Sequence, residues 1–256
     1  MKKFTNDFTL VEVGSLPDSC MKLILQSPSN LPIINPGQFV EVQTPDSSKT
    51  FLRRPISIHD VDYTKNRLIL LVKTVGEGTK SLSNLSIGST LNLVYPLGNG
   101  FDVSNVKHPL LIAGGVGIAP MMYLGKSLKQ NDVEVNFLFG AKSSSGLLLE
   151  DEFRKVGNLY CTTEDGSAGT QGFVTQHAEI EKLGIDYDSV FVCGPIQMMK
   201  AVGNIVKQKD VTCYVSLENT MACGIGACLC CVTDTVSGHK CVCTEGPVFD
   251  IKDLKW

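Results

Sequence analysis

The chain has 256 residues, of which 43% are hydrophobic, and a formal net charge of −3. This length and apolar content allow two domains with buried cores and a small additional unit. The sequence has no apolar run long enough to cross a membrane and no basic tract, which argues against membrane insertion and nucleic-acid binding.

The first hundred residues are predicted to form a β-barrel or a β-sandwich, and we assign residues 1–102 to a barrel. Five short segments alternate apolar and polar side chains, and clusters of Pro, Gly, Asn and Asp separate them. The predicted strands are residues 8–13, 20–25, 39–42, 55–58 and 67–73. No long helical pattern interrupts this region.

Two motifs in the barrel region are candidates for anion binding. Arg54 lies beside a short strand, where its guanidinium can pair with two pyrophosphate oxygens, and Ser57 would then lie near a flavin edge. Taken alone, adjacent arginines more often form a solvated turn. Gly78 and Thr79 open a short predicted helix whose N–H groups can meet an anion, and the alternative is a tight turn capped by Thr79.

From about residue 108 the pattern changes to buried strands that alternate with helices. Strands are predicted at residues 108–113, 133–139, 189–193 and 211–217, and a helix at residues 119–129. This alternation is typical of a doubly wound parallel sheet. We assign residues 103–217 to this α/β domain.

Glycine-containing turns follow two of these strands. They are Gly114-Gly115-Val116-Gly117 and Cys193-Gly194-Pro195. Ligands of open parallel sheets bind outside the carboxyl ends of the strands, so both turns are candidates for dinucleotide binding. The first turn lacks the third glycine of the G-x-G-x-x-G fingerprint. Met198 and Met199 are interpreted as helix core.

Six of the ten cysteines fall between residues 223 and 243, in a small C-terminal domain placed at residues 218–256. Cys223, Cys228 and Cys231 have the spacing C-x4-C-x2-C, which with a distant fourth cysteine matches the plant-type pattern for a [2Fe–2S] cluster. The glycines of this loop leave room for a cluster and let backbone N–H groups turn toward the sulfurs.

A hairpin is predicted to bring the fourth cysteine back to the loop. Residues 232–236 and 239–243 are predicted strands around a Ser-Gly turn, and the return strand would supply the ligand. Cys241 and Cys243 would lie on the same face of that strand, so alternation does not choose between them. Cys230 breaks the spacing and is a poor ligand candidate.

A structural zinc site and disulfides are the alternatives for these cysteines. Zinc normally uses two closely spaced pairs, which the four-residue gap does not match. The N-terminal residues contain no apolar stretch typical of a signal peptide, so we expect a cytoplasmic, reducing location in which disulfides are rare.

In combination, these motifs resemble the ferredoxin reductase family, which pairs a flavin-binding barrel with a nicotinamide-binding α/β domain. The motifs that carry the resemblance are Arg54-Pro55-Ile56-Ser57, Gly78-Thr79, the turn at residues 114–120, Asp165-Gly166-Ser167 and Cys193-Gly194-Pro195. The cysteine loop and the ending Gly246-Pro247-Val248-Phe249 resemble, more narrowly, the electron-transfer subunits of class 1B dihydroorotate dehydrogenases. That resemblance covers essentially the whole chain.

The resemblance implies three sets of site residues. Those expected to contact FAD are Arg54, Pro55, Ile56, Ser57, Leu71, Val72, Lys73, Gly78 and Thr79. Those expected at the nicotinamide cofactor are Gly114, Gly115, Gly117, Cys193, Gly194 and Pro195. In that family the last cluster ligand precedes x-x-Gly-Pro-Val-Phe, which selects Cys243. The implied ligands are therefore Cys223, Cys228, Cys231 and Cys243.

The resemblance also implies an electron relay in pyrimidine biosynthesis. FAD couples hydride exchange with NAD to single-electron exchange with the cluster. The expected partner is an FMN-containing catalytic subunit that oxidises dihydroorotate, in a heterotetramer, so that electrons run from FMN through the cluster and FAD to NAD. The four histidines are scattered in the sequence, so no catalytic acid or base is assigned to this chain.

Two other functions are alternatives. Small subunits of ferredoxin:NADP or sulfide oxidoreductases resemble this chain in layout but often have Asp at the first cluster position; Cys223 and the Gly-Pro-Val-Phe ending favour dihydroorotate dehydrogenase. A non-enzymatic redox sensor is disfavoured by the flavin and nicotinamide motifs. The segment at residues 142–145 would tolerate a 2′-phosphate, whereas the family implies NAD.

Overall fold

The computed structural model of the chain describes residues 2–45, 50–209 and 211–256. The strands of the barrel are β1 (Phe4–Leu16), β2 (Cys20–Gln26), β3 (Phe39–Val42), β4 (Arg54–Asp62), β5 (Arg67–Lys73) and β6 (Thr90–Leu97). The later strands are β7 (Pro109–Gly114), β8 (Asn136–Ala141), β9 (Asn158–Thr163), β10 (Thr170–Gln171), β11 (Ser189–Cys193), β12 (Thr212–Ser216), β13 (Val232–Thr235), β14 (Gly238–Cys241) and β15 (Val248–Asp250). The helices are α1 (Glu77–Leu82), α2 (Ala119–Gln130), α3 (Glu150–Arg154), α4 (Ala178–Glu181) and α5 (Ile196–Val206).

Strands β1 to β6 form the predicted barrel, which is closed and antiparallel in the order β1-β2-β5-β4-β3-β6. Alternate side chains such as Leu10, Leu23 and Leu70 point inward and are fully buried, so their apolar surface fills the interior. Strand β6, which the sequence analysis did not assign, closes the barrel by pairing with both β1 and β3. Leu91 and Leu93 alternate on it in the way that marks a half-buried strand.

The α/β region contains a seven-stranded sheet in the order β10-β9-β8-β7-β11-β12-β15. The predicted strands at residues 108–113, 189–193 and 211–217 correspond to β7, β11 and β12 within one residue at each end. The predicted strand at 133–139 lies later in the chain, as β8. The prediction omitted β9 and β10, which extend the parallel sheet beyond β8.

The C-terminal segment adds a strand to one edge of this sheet. Strand β15 pairs antiparallel with β12, with Val215 opposite Phe249. The hairpin of β13 and β14 is present, but β14 ends at Cys241, two residues earlier than predicted, so Cys243 lies in the turn that follows. Which of these two cysteines is the fourth ligand stays a prediction. The proposed boundaries at 102/103 and 217/218 stay a prediction.

Helix α2 joins the barrel to the α/β region. The Tyr123 hydroxyl donates to the Ile34 carbonyl at 2.9 Å, and Lys126 forms an ion pair with Asp60 on β4. His59, which is buried on the same strand, donates from Nδ1 to the Ala119 carbonyl oxygen at 2.9 Å. These contacts fix the barrel wall beside the sheet. Within the described residues, no helix combines the length and apolar character needed to span a membrane.

Candidate functional site

The two predicted glycine turns meet where the strand order reverses. Strands β7 and β11 are parallel neighbours, with Ala113 opposite Cys193. A Cβ on Gly117 would lie 2.4 Å from the Cys193 carbonyl oxygen, and one on Gly194 would lie 2.8 Å from the Gly114 nitrogen. The two turns therefore pack backbone against backbone, because no side chain fits between them. This switch point is where α/β sheets bind dinucleotides.

A cavity of about 550 Å³ opens from this switch point, and a second of about 370 Å³ adjoins it. Gly114, Gly115 and Pro195 line both cavities, and Gly117 and Gly194 line the smaller one. The structure thus brings together five of the six residues predicted at the nicotinamide cofactor. The sixth, Cys193, is fully buried beneath the turn, where burial raises the pKa of its thiol.

The larger cavity also contains residues that the sequence analysis interpreted otherwise or passed over. Met199 is buried in the core as expected, but Met198 lines the cavity. Lys142 and Glu164 also line it, each just beyond the end of a neighbouring parallel strand. Lys142 belongs to the segment that the sequence analysis proposed for a 2′-phosphate, whereas the position of Glu164 follows from the register of β8 and β9, which no local sequence pattern reveals.

The barrel contributes an ion pair to the same cleft. Lys73 lines both cavities, and its Nζ lies 2.6 Å from Oδ2 of Asp18, which lines the larger one. Asp18 and Ser19 have left-handed backbone conformations, with φ of 53° and 55°, in the turn between β1 and β2. The N–H of Thr74 donates to the Ser19 carbonyl oxygen at 2.8 Å and ties this turn to the end of β5. The sequence analysis did not identify Asp18.

Arg54 and Gly78 lie together at the start of α1. A Cβ on Gly78 would be 2.5 Å from Nε of Arg54, so glycine is needed for the guanidinium to cover the helix start. The Thr79 hydroxyl accepts from the N–H of Val75 at 3.0 Å, so the capped turn is also present. The Arg54 guanidinium donates to the carbonyl oxygens of Leu52 and Arg53 at 2.8 and 3.2 Å, and its positive charge beside a helix start suits a diphosphate.

The adjacent Arg53 has a different environment. Its guanidinium donates to the Asn92 side-chain oxygen at 2.5 Å and to the Asn92 carbonyl oxygen at 3.0 Å, on β6. These bonds tie the residue before β4 to β6 and occupy the Arg53 guanidinium. Of the two arginines, Arg54 therefore fits an anion site.

The other residues predicted to contact FAD lie on β4 and β5. Pro55, Ile56 and Ser57 are half-buried on β4. The pairing of β5 with β4 ends at Leu70, so residues 71–73 continue past β4 toward the cleft. The side chains of Leu71 and Val72 are buried, which leaves their backbone groups as the means of contacting a cofactor. FAD binding by these residues stays a prediction.

In the cysteine loop, backbone N–H groups surround the first predicted ligand. The N–H groups of Ala227 and Ile225 donate to the Cys223 sulfur at 3.3 and 3.5 Å. Burial favours the neutral thiol, but hydrogen bonds from Ile225, Cys228 and Ala227 outweigh it and lower the pKa of Cys223 to about 6. The loop thus stabilises a thiolate, the form that binds iron.

The last two predicted ligands are also adjacent. Cys231 and Cys243 are both buried, and the N–H of Cys243 donates to the Cys231 sulfur at 3.4 Å. Burial and the neighbouring Cys231 raise the pKa of Cys243 to about 12. Burial and the neighbouring Cys231 also raise the pKa of Cys241. The thiols of Cys241 and Cys243 therefore both adjoin Cys231. The choice of Cys243 as the fourth ligand stays a prediction.

The spacing C-x4-C-x2-C of this loop favours a two-iron cluster over a structural zinc site. Among the residues that the structure describes, no three His, Cys, Asp or Glu side chains come together as ligands of one ion. A structural zinc needs four ligands around one point, whereas four cysteines of a [2Fe–2S] cluster are shared between two irons.

The segment after Cys243 is anchored to both neighbouring units. The N–H of Asn99, beyond β6, donates to the Gly246 carbonyl oxygen at 2.6 Å, and that of Leu217, beyond β12, donates to the Pro247 carbonyl oxygen at 2.9 Å. The loop itself reaches the surface, with Ile225 48% and Leu229 64% exposed. A cluster held here would lie between the barrel and solvent.

Comparison with known proteins identifies both the loop and the cleft. The family described as the iron-sulfur cluster binding domain of dihydroorotate dehydrogenase B matches residues 218–255, and the oxidoreductase NAD-binding domain matches residues 111–204. The dihydroorotate dehydrogenase B (NAD(+)) electron transfer subunit of Shouchella clausii is 33% identical over 99% of each chain. The Bacillus cereus protein of the same name is 38% identical over 96% of each chain. The chain belongs to this electron transfer subunit family.

Solved structures agree with this family assignment. A chain from an NADH-dependent reduced ferredoxin-NADP oxidoreductase superposes with a TM-score of 0.87 and 30% identity, over 97% of this chain and 90% of its own. The flavohem-like FAD/NAD-binding domain of a Vibrio cholerae nitric oxide dioxygenase has a TM-score of 0.70 at 24% identity, over 80% of this chain and 94% of its own. The second likeness supports the fold alone. The chain is thus an NAD-linked flavin and iron–sulfur oxidoreductase subunit.

Proposed function

We propose that this chain carries electrons between a separate FMN-containing dihydroorotate dehydrogenase subunit and NAD, in a cytoplasmic heterotetramer. The observation that carries this proposal is the adjacency of three features in one chain. The cysteine loop matches the dihydroorotate dehydrogenase B cluster domain, and the segment that follows it is bonded to both the barrel and the dinucleotide sheet. The curated relatives are named as electron transfer subunits, which implies a partner that performs the substrate chemistry.

The residues fit FAD on the barrel and a [2Fe–2S] cluster in the loop. Arg54 and the start of α1 would hold the FAD diphosphate, and residues 71–73 would contact the isoalloxazine beside the smaller cavity. Cys223, Cys228, Cys231 and Cys243 would hold the cluster. When bound, FAD exchanges a hydride with NAD and single electrons with the cluster.

The protein itself supplies position and electrostatics. The packed turns at Gly117 and Gly194 leave backbone free to approach the dinucleotide. Backbone N–H groups around Cys223 favour its thiolate, which prepares the loop for iron. Ile225 and Leu229 provide apolar contact area for a partner next to the cluster.

Purification with and without the partner tests this function. The chain alone should contain FAD, iron and sulfide, oxidise NADH with ferricyanide, and fail to oxidise dihydroorotate. Co-expression with an FMN-containing dihydroorotate dehydrogenase subunit should give a complex that reduces NAD with dihydroorotate. Turnover of dihydroorotate by the isolated chain would contradict the proposal.

The docking surface is tested by a matched pair of variants. Ile225→Glu places a charge beside the cluster loop and should abolish complex formation while NADH:ferricyanide activity is retained. Ile185→Glu, on an 82% exposed side chain of the α/β region, is the control and should leave the complex intact. Equal binding by both variants would place the partner elsewhere.

A ferredoxin:NADP oxidoreductase subunit is the second candidate function, which the TM-score of 0.87 to such an enzyme favours. The two functions differ in electron donor and in nucleotide. Failure to couple to the FMN subunit, with NADH-dependent turnover of ferredoxin and NADP by the native complex, would favour the second candidate. Preference for NADH, with coupling to the FMN subunit, would favour the first.

A further inference from the structure

Glu41 on β3 is a buried carboxyl group with no visible partner. Its side chain is 1% exposed, and neither carboxylate oxygen has a hydrogen-bond partner among the residues that the structure describes. Burying such a group unpaired is costly, and most buried polar groups in proteins are bonded. An ionisable group kept in this position therefore calls for a functional explanation.

Glu41 faces the cysteine loop. Its neighbours Val40 and Val42 point into the barrel interior, so Glu41 lies on the outer face of β3. A Cβ on Gly224 would lie 2.6 Å from Cγ of Glu41 and 3.0 Å from its Oε1. Gly224 directly follows the predicted ligand Cys223 and has φ of +66°, so glycine is required both for the turn and for the approach of the carboxyl group.

The charged neighbours of Glu41 are few. Nη1 of Arg53 donates to the Glu41 backbone carbonyl at 3.3 Å, so it contacts the main chain of this residue. Burial raises the pKa of Glu41 to about 7, with the positive charges of Arg53 and Arg54 opposing this and Cys223 adding to it. The carboxyl group therefore interacts electrostatically with Arg53 and Arg54, near the predicted FAD site, and with Cys223 in the predicted cluster loop.

We propose that Glu41 sets the reduction potential of the [2Fe–2S] cluster by placing a buried negative charge against its loop. This inference rests on the proposed function, because it requires the cluster to be held by the loop. An added electron makes the cluster more negative, and a nearby carboxylate in a low-dielectric environment opposes that change. Glu41 thus disfavours the reduced cluster and favours transfer of the electron onward.

The test compares cluster potentials in the purified holoprotein. Glu41→Gln and Glu41→Met remove the charge at nearly constant length, Glu41→Asp retains it, and Glu12→Gln removes an exposed carboxylate on β1 as a control. Anaerobic redox titration followed by electron paramagnetic resonance gives the midpoint, at about pH 9 because high pH favours the ionised carboxyl group. We expect a positive shift in the Gln and Met variants, and little change in Glu41→Asp and Glu12→Gln.

The outcomes separate this inference from the proposed function. A wild-type chain that binds no iron and sulfide would refute the proposed function itself. An intact cluster with an unchanged or more negative midpoint in Glu41→Gln and Glu41→Met would refute the role of Glu41 alone. Loss of iron from every Glu41 variant, including Glu41→Asp, would also refute it, because the side chain would then be needed to build the loop.

Discussion

The dinucleotide cleft and the cysteine loop are built in opposite ways. Strands β7 and β11 fix the cleft, because their register brings two glycine turns into backbone contact. Residues 217–231, all of which the structure describes, contain no helix or strand, and N–H groups that point at sulfur atoms organise part of the loop. The cleft therefore depends on sheet packing, whereas the loop depends on its thiolates.

This difference predicts that the two sites can be lost separately. The backbone contact between the two glycine turns involves none of the cluster cysteines, so removal of one of their thiols should leave it in place. A loop with few backbone hydrogen bonds, in contrast, gains much of its order from its metal group, as small metal-binding domains do. Variants in one region should leave the other region functional.

The largest expected effect comes from the fourth ligand. Cys243→Ser should remove nearly all iron and sulfide, because serine is a poor replacement for a thiolate at a buried ligand position. FAD content and NADH:ferricyanide activity should stay close to wild type, since the cleft lies outside the loop. Iron and sulfide analysis with the visible spectrum measures both.

Cys241→Ser is the matched control for this prediction. Cys241 also adjoins Cys231, and its N–H donates to the Glu245 carboxylate at 2.7 Å. Its replacement should largely preserve the cluster. Loss of the cluster in Cys241→Ser but not in Cys243→Ser would reverse the ligand assignment.

The second expected effect is in the cleft. Gly117→Ala would force the turns apart, because its Cβ would lie 2.4 Å from the Cys193 carbonyl oxygen. Overpacking of this kind costs about 1–3 kcal/mol. This cost should weaken the binding of NADH, so KM for NADH should rise by roughly tenfold or more, since 1.4 kcal/mol corresponds to a factor of ten.

Gly14→Ala is the control for the cleft, because a Cβ on Gly14 would meet nothing within 4 Å. Steady-state kinetics of NADH oxidation with ferricyanide gives KM for both variants. The cluster content of Gly117→Ala should match wild type. A lost cluster with an unchanged KM would contradict the independence of the two regions.

Local sequence patterns predicted the parts of both sites that depend on neighbouring residues. Spacing singled out Cys223, Cys228 and Cys231 as candidate ligands, and glycines after apolar strands indicated the two turns of the cleft. The position of Cys243 in a turn and the proximity of Glu41 to Gly224 were not predictable, since both follow from packing between distant segments. The same holds for Asp18, which reaches the cleft because the turn between β1 and β2 is tied to β5.

A third effect concerns the pH dependence of stability and the contact of His59, on β4, with the start of α2. Burial lowers the pKa of His59 to about 4 from its ordinary value of 6.5, against its bond to the Ala119 carbonyl oxygen. Asp60 and Glu152 also favour its protonated form, and Lys22 opposes it. The unfolded chain therefore binds a proton that the folded chain rejects between pH 6.5 and 4.

The stabilisation by neutral His59 is thus fully present above pH 6.5 and is lost as the pH falls toward 4. Its upper limit is about 3 kcal/mol, from 1.36 kcal/mol for each unit of pKa. His59→Gln should flatten the fall in urea midpoint between pH 7 and 5 relative to wild type. Parallel pH profiles of the two proteins would show that His59 is not responsible for acid sensitivity.

The smallest expected effect is at the ion pair that joins α2 to the barrel. Lys126 is partly exposed and Asp60 is mostly buried, so the pair is only partly screened by solvent. Lys126→Ala should lower the free energy of unfolding by about 0.5–1 kcal/mol at low ionic strength, and by less at about 1 M salt. Lys155→Ala, at an exposed position, is the control. Urea titrations at both salt concentrations measure the difference. An equal loss at both would mean that packing of the Lys126 side chain, and not its charge, holds α2 against the barrel.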